Sequence, residues 1–457
     1  MGKNQNILIF SHTLIIFASK SNNNQMKRKA LLHLVEWKNK TGRMPLIVNG
    51  ARQVGKTYSI KEFGETNYNN MVYFNLETNI AVNSYFETDI QPLRIIQYLE
   101  TAAGLRIIPG ETLVVLDEIQ SCPRALTSLK AFCEEAPQFH IICAGSLLGV
   151  AVNRENFSFP VGKVDEMQMF PMDFEEFLWA LDEEMLSDNI RNHFTSNTVF
   201  PEALHNKALD YYKQYLIVGG MPAAVKEFTE TQSLVTASEI QGRIQNEYIA
   251  DMAKYASAST SVKIRACYNS IPVQLAKENK KFQYKLVQRG GTATIFGESI
   301  EWLYFAGVVL KCQKVEHGFM PISVYADLSD FKLYMSDVGI LTAKSGMAQQ
   351  TILSQVEVDN GFLGALSENY VAQALVANGF HLHYWKNDNT AELDFVIQLD
   401  GQVIPIEVKK GNRTKSISMN MFVKKYNCQY AIRISKKNFG FDNNIKSVPL
   451  YAVFCIK

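Results

Sequence analysis

Short apolar runs alternate with amphipathic stretches through the region that follows Met26. The runs Leu46–Asn49, Met71–Asn75, Leu113–Leu116 and Ile141–Ala144 are apolar or β-branched almost throughout. A strand with no polar face must be covered on both sides. Ala30–Trp37 before them, and Ser59–Phe63, Pro92–Ala103 and Arg124–Glu135 between them, carry the spacing of helices. Strand and helix in alternation predict a parallel sheet with helices on both faces. After Pro171 the pattern turns helical, with Phe174–Leu181, Lys207–Tyr215 and Ser238–Tyr255 separated by the turn Gly219-Gly220-Met221-Pro222. Farther on, Val262–Glu278 and Ser299–Ala306 read as helices, the second capped at Ser299 and closed by Gly307, before the strand Val308–Cys312. Two helices and a strand pair are the outline of a winged helix. The last part holds the helix Ala365–Asn378 and two strands, Ala391–Ile397 and Val403–Lys410, joined by a turn at Gly401.

The first apolar run leads directly into Gly50-Ala51-Arg52-Gln53-Val54-Gly55-Lys56-Thr57, which fits G-x-x-x-x-G-K-T without a mismatch. Glycines at both ends let the backbone turn so that successive N–H groups point inward toward phosphate oxygens. Lys56 brings a compact positive charge, the Thr57 hydroxyl is a ligand for Mg²⁺, and the helix that continues through Tyr58 offers its N-terminal end to the same anion. The run Thr112–Leu116 ends in Asp117-Glu118. Asp117 is placed to hold Mg²⁺ and Glu118 to polarise an attacking water. The run ending Ala144-Gly145-Ser146 puts Ser146 in position to sense a terminal phosphate; a plain strand-to-loop turn explains it equally well. Four arginines, Arg52, Arg124, Arg154 and Arg289, are open as a transition-state finger, and spacing does not choose among them.

Composition narrows the rest. With 457 residues, 47% hydrophobic and 20% charged, the chain is an ordinary globular protein of two to four domains at roughly 150 residues each. A formal charge of +1 gives no global attraction to nucleic acid, so any such site is local. Seven scattered cysteines form no C-x-x-C, which favours a cytoplasmic location over a disulfide framework or zinc knuckle. His381 and His383 alternate on an expected strand, with no third ligand adjacent. The apolar stretches before Ser21 are too short and interrupted to span a bilayer. Residues 1–25 read as a disordered extension before a natural start at Met26.

Two local patterns suggest chemistry beyond the nucleotide. Lys277, Lys280, Lys281, Lys285 and Arg289, interleaved with Phe282 and Tyr284, offer charges to a DNA backbone; a solvated packing face is the competing reading. Near the C-terminus, Glu407 and Lys409 share a strand face, and Asp394 lies across the turn. This D…E-x-K, with Glu368 on the preceding helix, is the arrangement of restriction-endonuclease-type nucleases, in which carboxylates hold Mg²⁺ or Mn²⁺ and lysine positions water. A polar outer face on a two-stranded ribbon is the alternative.

Together with the loop, the stretches Leu116–Gln120, Ala144–Ser146, Ser158–Lys163, Phe174–Leu178, Gly219–Pro222, Phe331–Asp337, Glu392–Phe395 and Pro405–Lys409 resemble the uncharacterised prokaryotic AAA-type P-loop ATPases that carry a C-terminal domain of unknown function. The resemblance runs from Met26 to the end. It implies an α/β multidomain fold: a P-loop parallel-sheet ATPase core (26–181), a helical lid (182–258), a winged helix-like domain (259–345) and an α/β restriction-endonuclease-like C-terminal domain (346–457). It also implies ATP as ligand. Two classes of function remain open. In one, ATP turnover controls a metal-dependent nuclease on DNA. In the other, ATP drives a conformational switch that binds a protein partner and cuts nothing.

Overall fold

The computed structural model describes residues 26–146, 150, 159–354, 361–387, 391–409 and 417–457. The expectations for residues 1–25, Arg154, Ser158 and Lys410 lie outside that set.

A five-stranded sheet forms from β1 (Leu46–Asn49), β2 (Asn70–Asn75), β3 (Thr112–Asp117), β4 (His140–Gly145) and β5 (Asp165–Gln168), in the order β2-β3-β4-β1-β5. Every pairing in it is parallel. Alternate residues on each strand enter different layers. Leu46, Val48, Leu113, Val115, Ile142 and Ala144 join the large core that continues into the C-terminal half. Ile47, Val114, Leu116, Ile141 and Cys143 join a second core with the helices Ile80–Thr88, Pro92–Ala103 and Pro123–Glu135. Period-two alternation between two apolar layers is why these strands read as continuous apolar text.

The helical region comprises Phe174–Ala180, Glu184–Ser196, Glu202–Val218, Pro222–Thr231 and the long helix Leu234–Tyr255, whose N-terminus is capped by Ser233. Helices Ala258–Leu275, Tyr284–Val287 and Ala293–Phe305 then precede the hairpin β6 (Val309–Val315) and β7 (Ala326–Met335). Ser299 does not cap the last of these helices. It is buried seven residues into the element, because Phe296, Ile300 and Leu303 continue one apolar face back to Ala293.

The hairpin does not close a sheet of its own. β6 pairs in parallel with β8 (His383–Lys386), and β9 (Glu392–Leu399), β10 (Gln402–Val408), β11 (Ala431–Ser435), β12 (Gly440–Asp442) and β13 (Ile445–Pro449) complete an eight-stranded mixed sheet. Its order is β12-β13-β11-β10-β9-β8-β6-β7. The helix Gly361–Ala377 is buried along most of its length against this sheet and the helical region. Among the described residues no helix is long and apolar enough to cross a membrane.

Candidate functional site

The site grows out of the end of β1. Gly50 takes φ 151° and Gly55 φ 92°, and a Cβ on Gly50 would meet the Met169 carbonyl at 2.4 Å. A side chain is excluded there by space as well as by conformation. The helix Lys56–Asn67 starts at the loop lysine itself. Lys56 Nζ donates to the Gly50 and Ala51 carbonyls, each at 2.8 Å, so the amine fills the hollow of its own loop. Burial pulls its pKa down to about 8 against the opposing charges of Glu118 and Asp117.

Because β4 lies between β1 and β3, Ser146 at its end sits between the loop and the Asp117-Glu118 pair. Thr57 Oγ1 and the Tyr73 hydroxyl both donate to Asp117 Oδ2 at 2.7 Å, and the Glu118 N–H donates to Asp117 Oδ1 at 3.0 Å. A threonine hydroxyl on a buried carboxylate is a donor set that suits Mg²⁺, with both oxygens already converged. Glu118 adopts φ 53°, a left-handed conformation that costs a non-glycine residue about 1 kcal/mol or more. Its Oε2 accepts from the Gln120 side-chain amide, and the Ser146 hydroxyl lies at 3.5 Å, the far limit of a hydrogen bond.

The outer wall of the loop comes from distant chain. Arg28 donates to the Val54 carbonyl at 2.8 Å and to the Phe170 carbonyl at 3.0 Å, and pairs with Glu176 at 3.0 Å. Glu176 is also half of a capping box with Asp173 on the helix Phe174–Ala180. The helix Leu234–Tyr255 supplies Asp251, paired with Arg52 at 3.0 Å, Glu247, which accepts from Gln53 at 2.6 Å, and Tyr248, whose hydroxyl donates to the Arg52 carbonyl at 3.1 Å. From the C-terminal side, Gly307 is so close that a Cβ would lie 3.1 Å from the Ala51 nitrogen. A cleft of about 550 Å³ opens here, between Gly50, Ala51 and Ser146 on one side and Phe305, Gly307 and Phe380 on the other. Sequence patterns did not point to Arg28, Glu247, Tyr248 or Asp251. Only the Phe174–Leu178 stretch marked Glu176, without a role. Tyr58 is 46% exposed on the first turn after the loop. Arg124 bonds the Phe86 carbonyl and Arg289 is exposed, so of the described arginine candidates only Arg52 adjoins the loop.

The Gly219–Pro222 turn meets the Phe331–Asp337 stretch away from the loop. The Gly220 N–H donates to Asp337 Oδ2 at 2.6 Å, and a Cβ on Gly219 would strike the same carboxylate at 2.3 Å. Asp337 also caps the helix Val338–Ser345 through the Ile340 N–H. Burial raises its pKa to about 6 despite these backbone donors.

The D…E-x-K residues lie on β9, β10 and the segment after β10. Pairing of Ile406 with Phe395 brings Glu407 level with Asp394, and Asp394 Oδ2 accepts the Val408 N–H at 2.7 Å. The carboxylates, however, are taken up by lysines. Glu368 binds Lys280, Lys332 and the Tyr334 hydroxyl, while Lys332 also pairs with Glu392 at 2.7 Å. Glu407 pairs with Lys409 at 2.6 Å. Burial would raise the Glu368 carboxyl, but Lys332 and Lys280 hold it well below the usual range. Burial and the nearby Glu368 raise Asp394 instead. Lys332 therefore stands where a shared cation is expected, and among the described residues no group of three or more His, Cys, Asp or Glu side chains is arranged to hold a metal. As arranged, Glu368, Asp394 and Glu407 do not fit a divalent ion.

The basic stretch is likewise drawn inward. Lys280 is on Glu368, Lys281 pairs with Asp330 at 2.8 Å, and Phe282 is buried against Phe331. Lys285 and Arg289 are exposed.

An AAA domain family matches residues 42–178. Two families described as domains of unknown function, DUF8612 and DUF4143, match residues 209–351 and 363–453. No curated protein matches the chain. Among solved structures, the Walker-type ATPase of Pyrococcus abyssi is 14% identical over 71% of this chain and 97% of its own, with a TM-score of 0.43. The Aeropyrum pernix ORC2 protein is 13% identical over 76% and 93%, at 0.34. Domain III of the Thermotoga maritima replication initiation protein DnaA is 14% identical over 48% and 88%, at 0.29. Such values assign neither activity nor partner. Residues 42–178 therefore match an AAA domain family, and the C-terminal half matches two families of unknown function.

Proposed function

We propose that the chain binds Mg·ATP through Gly50–Thr57 and hydrolyses it, and that nucleotide state is relayed to the C-terminal half. The observation that carries the first part is the convergence of Lys56 and Thr57, after β1, with Asp117 and Glu118, at the end of β3, on either side of β4. Lys56 exchanges its two carbonyl partners for phosphate oxygens, which are stronger acceptors because they are charged. Thr57 and Asp117 would hold Mg²⁺, which would offset the phosphate charge. Glu118, turned into the site by its left-handed backbone, accepts the proton of the attacking water. Fluorescent-nucleotide titration tests the binding step: wild type should bind ATP with Mg²⁺, and Lys56→Ala should lose at least about a hundredfold in affinity. Equal affinities would remove Lys56 from the site.

A relay is favoured by the loop's contacts with Asp251, Glu247, Tyr248 and Gly307, all supplied by the first of the two C-terminal regions, residues 209–351. For those regions the switch reading is better supported than the nuclease reading. The Glu368 and Glu407 carboxylates are neutralised by lysines, and Lys280 and Lys281 are engaged within the chain. Such a module moves or docks as a body when the loop changes; DNA and a protein remain the two partner classes. Incubation of labelled DNA with Mg²⁺ or Mn²⁺ and ATP should give no cleavage, and cleavage abolished by Asp394→Ala would restore the nuclease reading.

A further inference from the structure

Beside the loop, next to Ser146, lies a small, partly open pocket of about 10 Å³, room for one oxygen-sized atom. Arg52, Ser146, Tyr248, Asp251 and Trp302 line it. Trp302 is about nine-tenths buried, and its indole Nε1–H has no hydrogen-bond partner. The Arg52 Nε–H is buried and unpartnered as well, although its Nη1 meets Asp251. Ser146 contributes a hydroxyl whose acceptor, Glu118, is at 3.5 Å. Buried N–H groups are rarely left unpaired, and each such vacancy costs free energy unless a ligand fills it. Trp302, Arg52 and Ser146, each bearing a donor, line one oxygen-sized space next to a phosphate-binding loop, and that suits an anionic oxygen.

We infer that Trp302, with Arg52 and Ser146, binds an oxygen of the terminal phosphate of ATP, so that the C-terminal half reads ATP against ADP through one indole N–H. The inference rests on the ATP reading above. Trp302 lies on the helix Ala293–Phe305, five residues before Gly307, which packs on the Ala51 nitrogen. A phosphate oxygen on Nε1 therefore pins that helix to the loop, and loss of the terminal phosphate releases it. The Asp251 carboxylate opposes the anion, and its pairing with Arg52 limits that opposition. Tyr248 contributes no free donor, since its hydroxyl is on the Arg52 carbonyl.

Trp302→Phe keeps an aromatic ring and removes the donor. It should weaken binding of the β,γ-imido analogue of ATP about tenfold and leave ADP binding unchanged, because a hydrogen bond to a charged oxygen is lost only in the triphosphate complex. In full-length protein labelled with 5-fluorotryptophan, the ¹⁹F resonance absent from Trp302→Phe should shift with the imido analogue and not with ADP. If that variant does not fold, Trp37→Phe, Trp179→Phe and Trp385→Phe assign the resonance by elimination. An unchanged preference for triphosphate in Trp302→Phe, or a Trp302 resonance that responds equally to both nucleotides, overturns the inference. Wild-type protein that binds neither nucleotide overturns the ATP reading itself and this one with it.

Discussion

The Arg52 guanidinium in the phosphate-binding loop meets the Asp251 carboxylate at 3.0 Å across a separation of nearly two hundred residues. Asp251 is buried in the last turns of the helix Leu234–Tyr255, and burial raises its pKa against the pull of Arg52. A buried carboxylate next to a phosphate site works against an anionic ligand, while its pairing with Arg52 ties the loop to the helix.

Asp251→Asn should therefore tighten Mg·ATP binding several-fold, because one negative charge leaves the site and Arg52 becomes free to meet phosphate. The same change should weaken the hold of the helix on the empty loop, seen as faster amide exchange at residues 50–54 without nucleotide. Weaker ATP binding in Asp251→Asn would show that the carboxylate positions the loop for ligand.

Lys56 carries a stability penalty that its function requires. Its folded pKa, about 8, lies below the unfolded value of 10.5. Below pH 8 both states are protonated and the cost of burying the ammonium is present in full; between pH 8 and 10.5 the folded state sheds its proton first and the cost disappears. Lys56→Met should stabilise the nucleotide-free protein by up to about 3 kcal/mol at pH 7, shrinking to nothing near pH 10.5, while abolishing ATP binding. Urea unfolding at pH 7 and pH 10 reads the difference, and a destabilised variant at pH 7 would mean that the two carbonyl bonds outweigh desolvation.

Lys332 is the counter-charge of the C-terminal sheet. Lys332→Met leaves Glu368, Glu392 and Asp394 without it and should cost about 3–5 kcal/mol at pH 7, the range for breaking a buried pair. The cost should shrink as pH falls toward 4.5, where the carboxylates left without Lys332 take up protons. In wild type the Glu368 contribution is present above its unfolded pKa of 4.5 and is lost as pH falls through its lowered folded value. Adding Glu368→Gln to Lys332→Met should recover part of the loss in chemical denaturation; additive effects would place the two residues in separate interactions.

The parallel strands were legible because each is apolar on both faces. β5 was not, because Asp165–Gln168 alternates half-buried and exposed residues at the sheet edge and carries two acids. The phosphate-binding loop and Asp117-Glu118 were legible because their chemistry is local and ordered in sequence. Asp251 and Trp302 were not, since a carboxylate and an indole on long helices gain meaning only when folding brings them to Arg52 and Ser146. The β9–β10 pairing puts Glu407 level with Asp394, on the strand across the turn. Their reading as metal ligands missed Lys332, hidden in the apolar strand Phe331–Met335, and the inward pairing of Lys280.

Phosphate release by Glu118→Gln, compared with wild type under saturating Mg·ATP, tests the central claim most directly. The variant should bind ATP as tightly as wild type, because Thr57, Asp117 and Lys56 are untouched, and should turn over at least about a hundredfold more slowly, the usual contribution of a general base. Equal turnover in the two proteins would contradict the account.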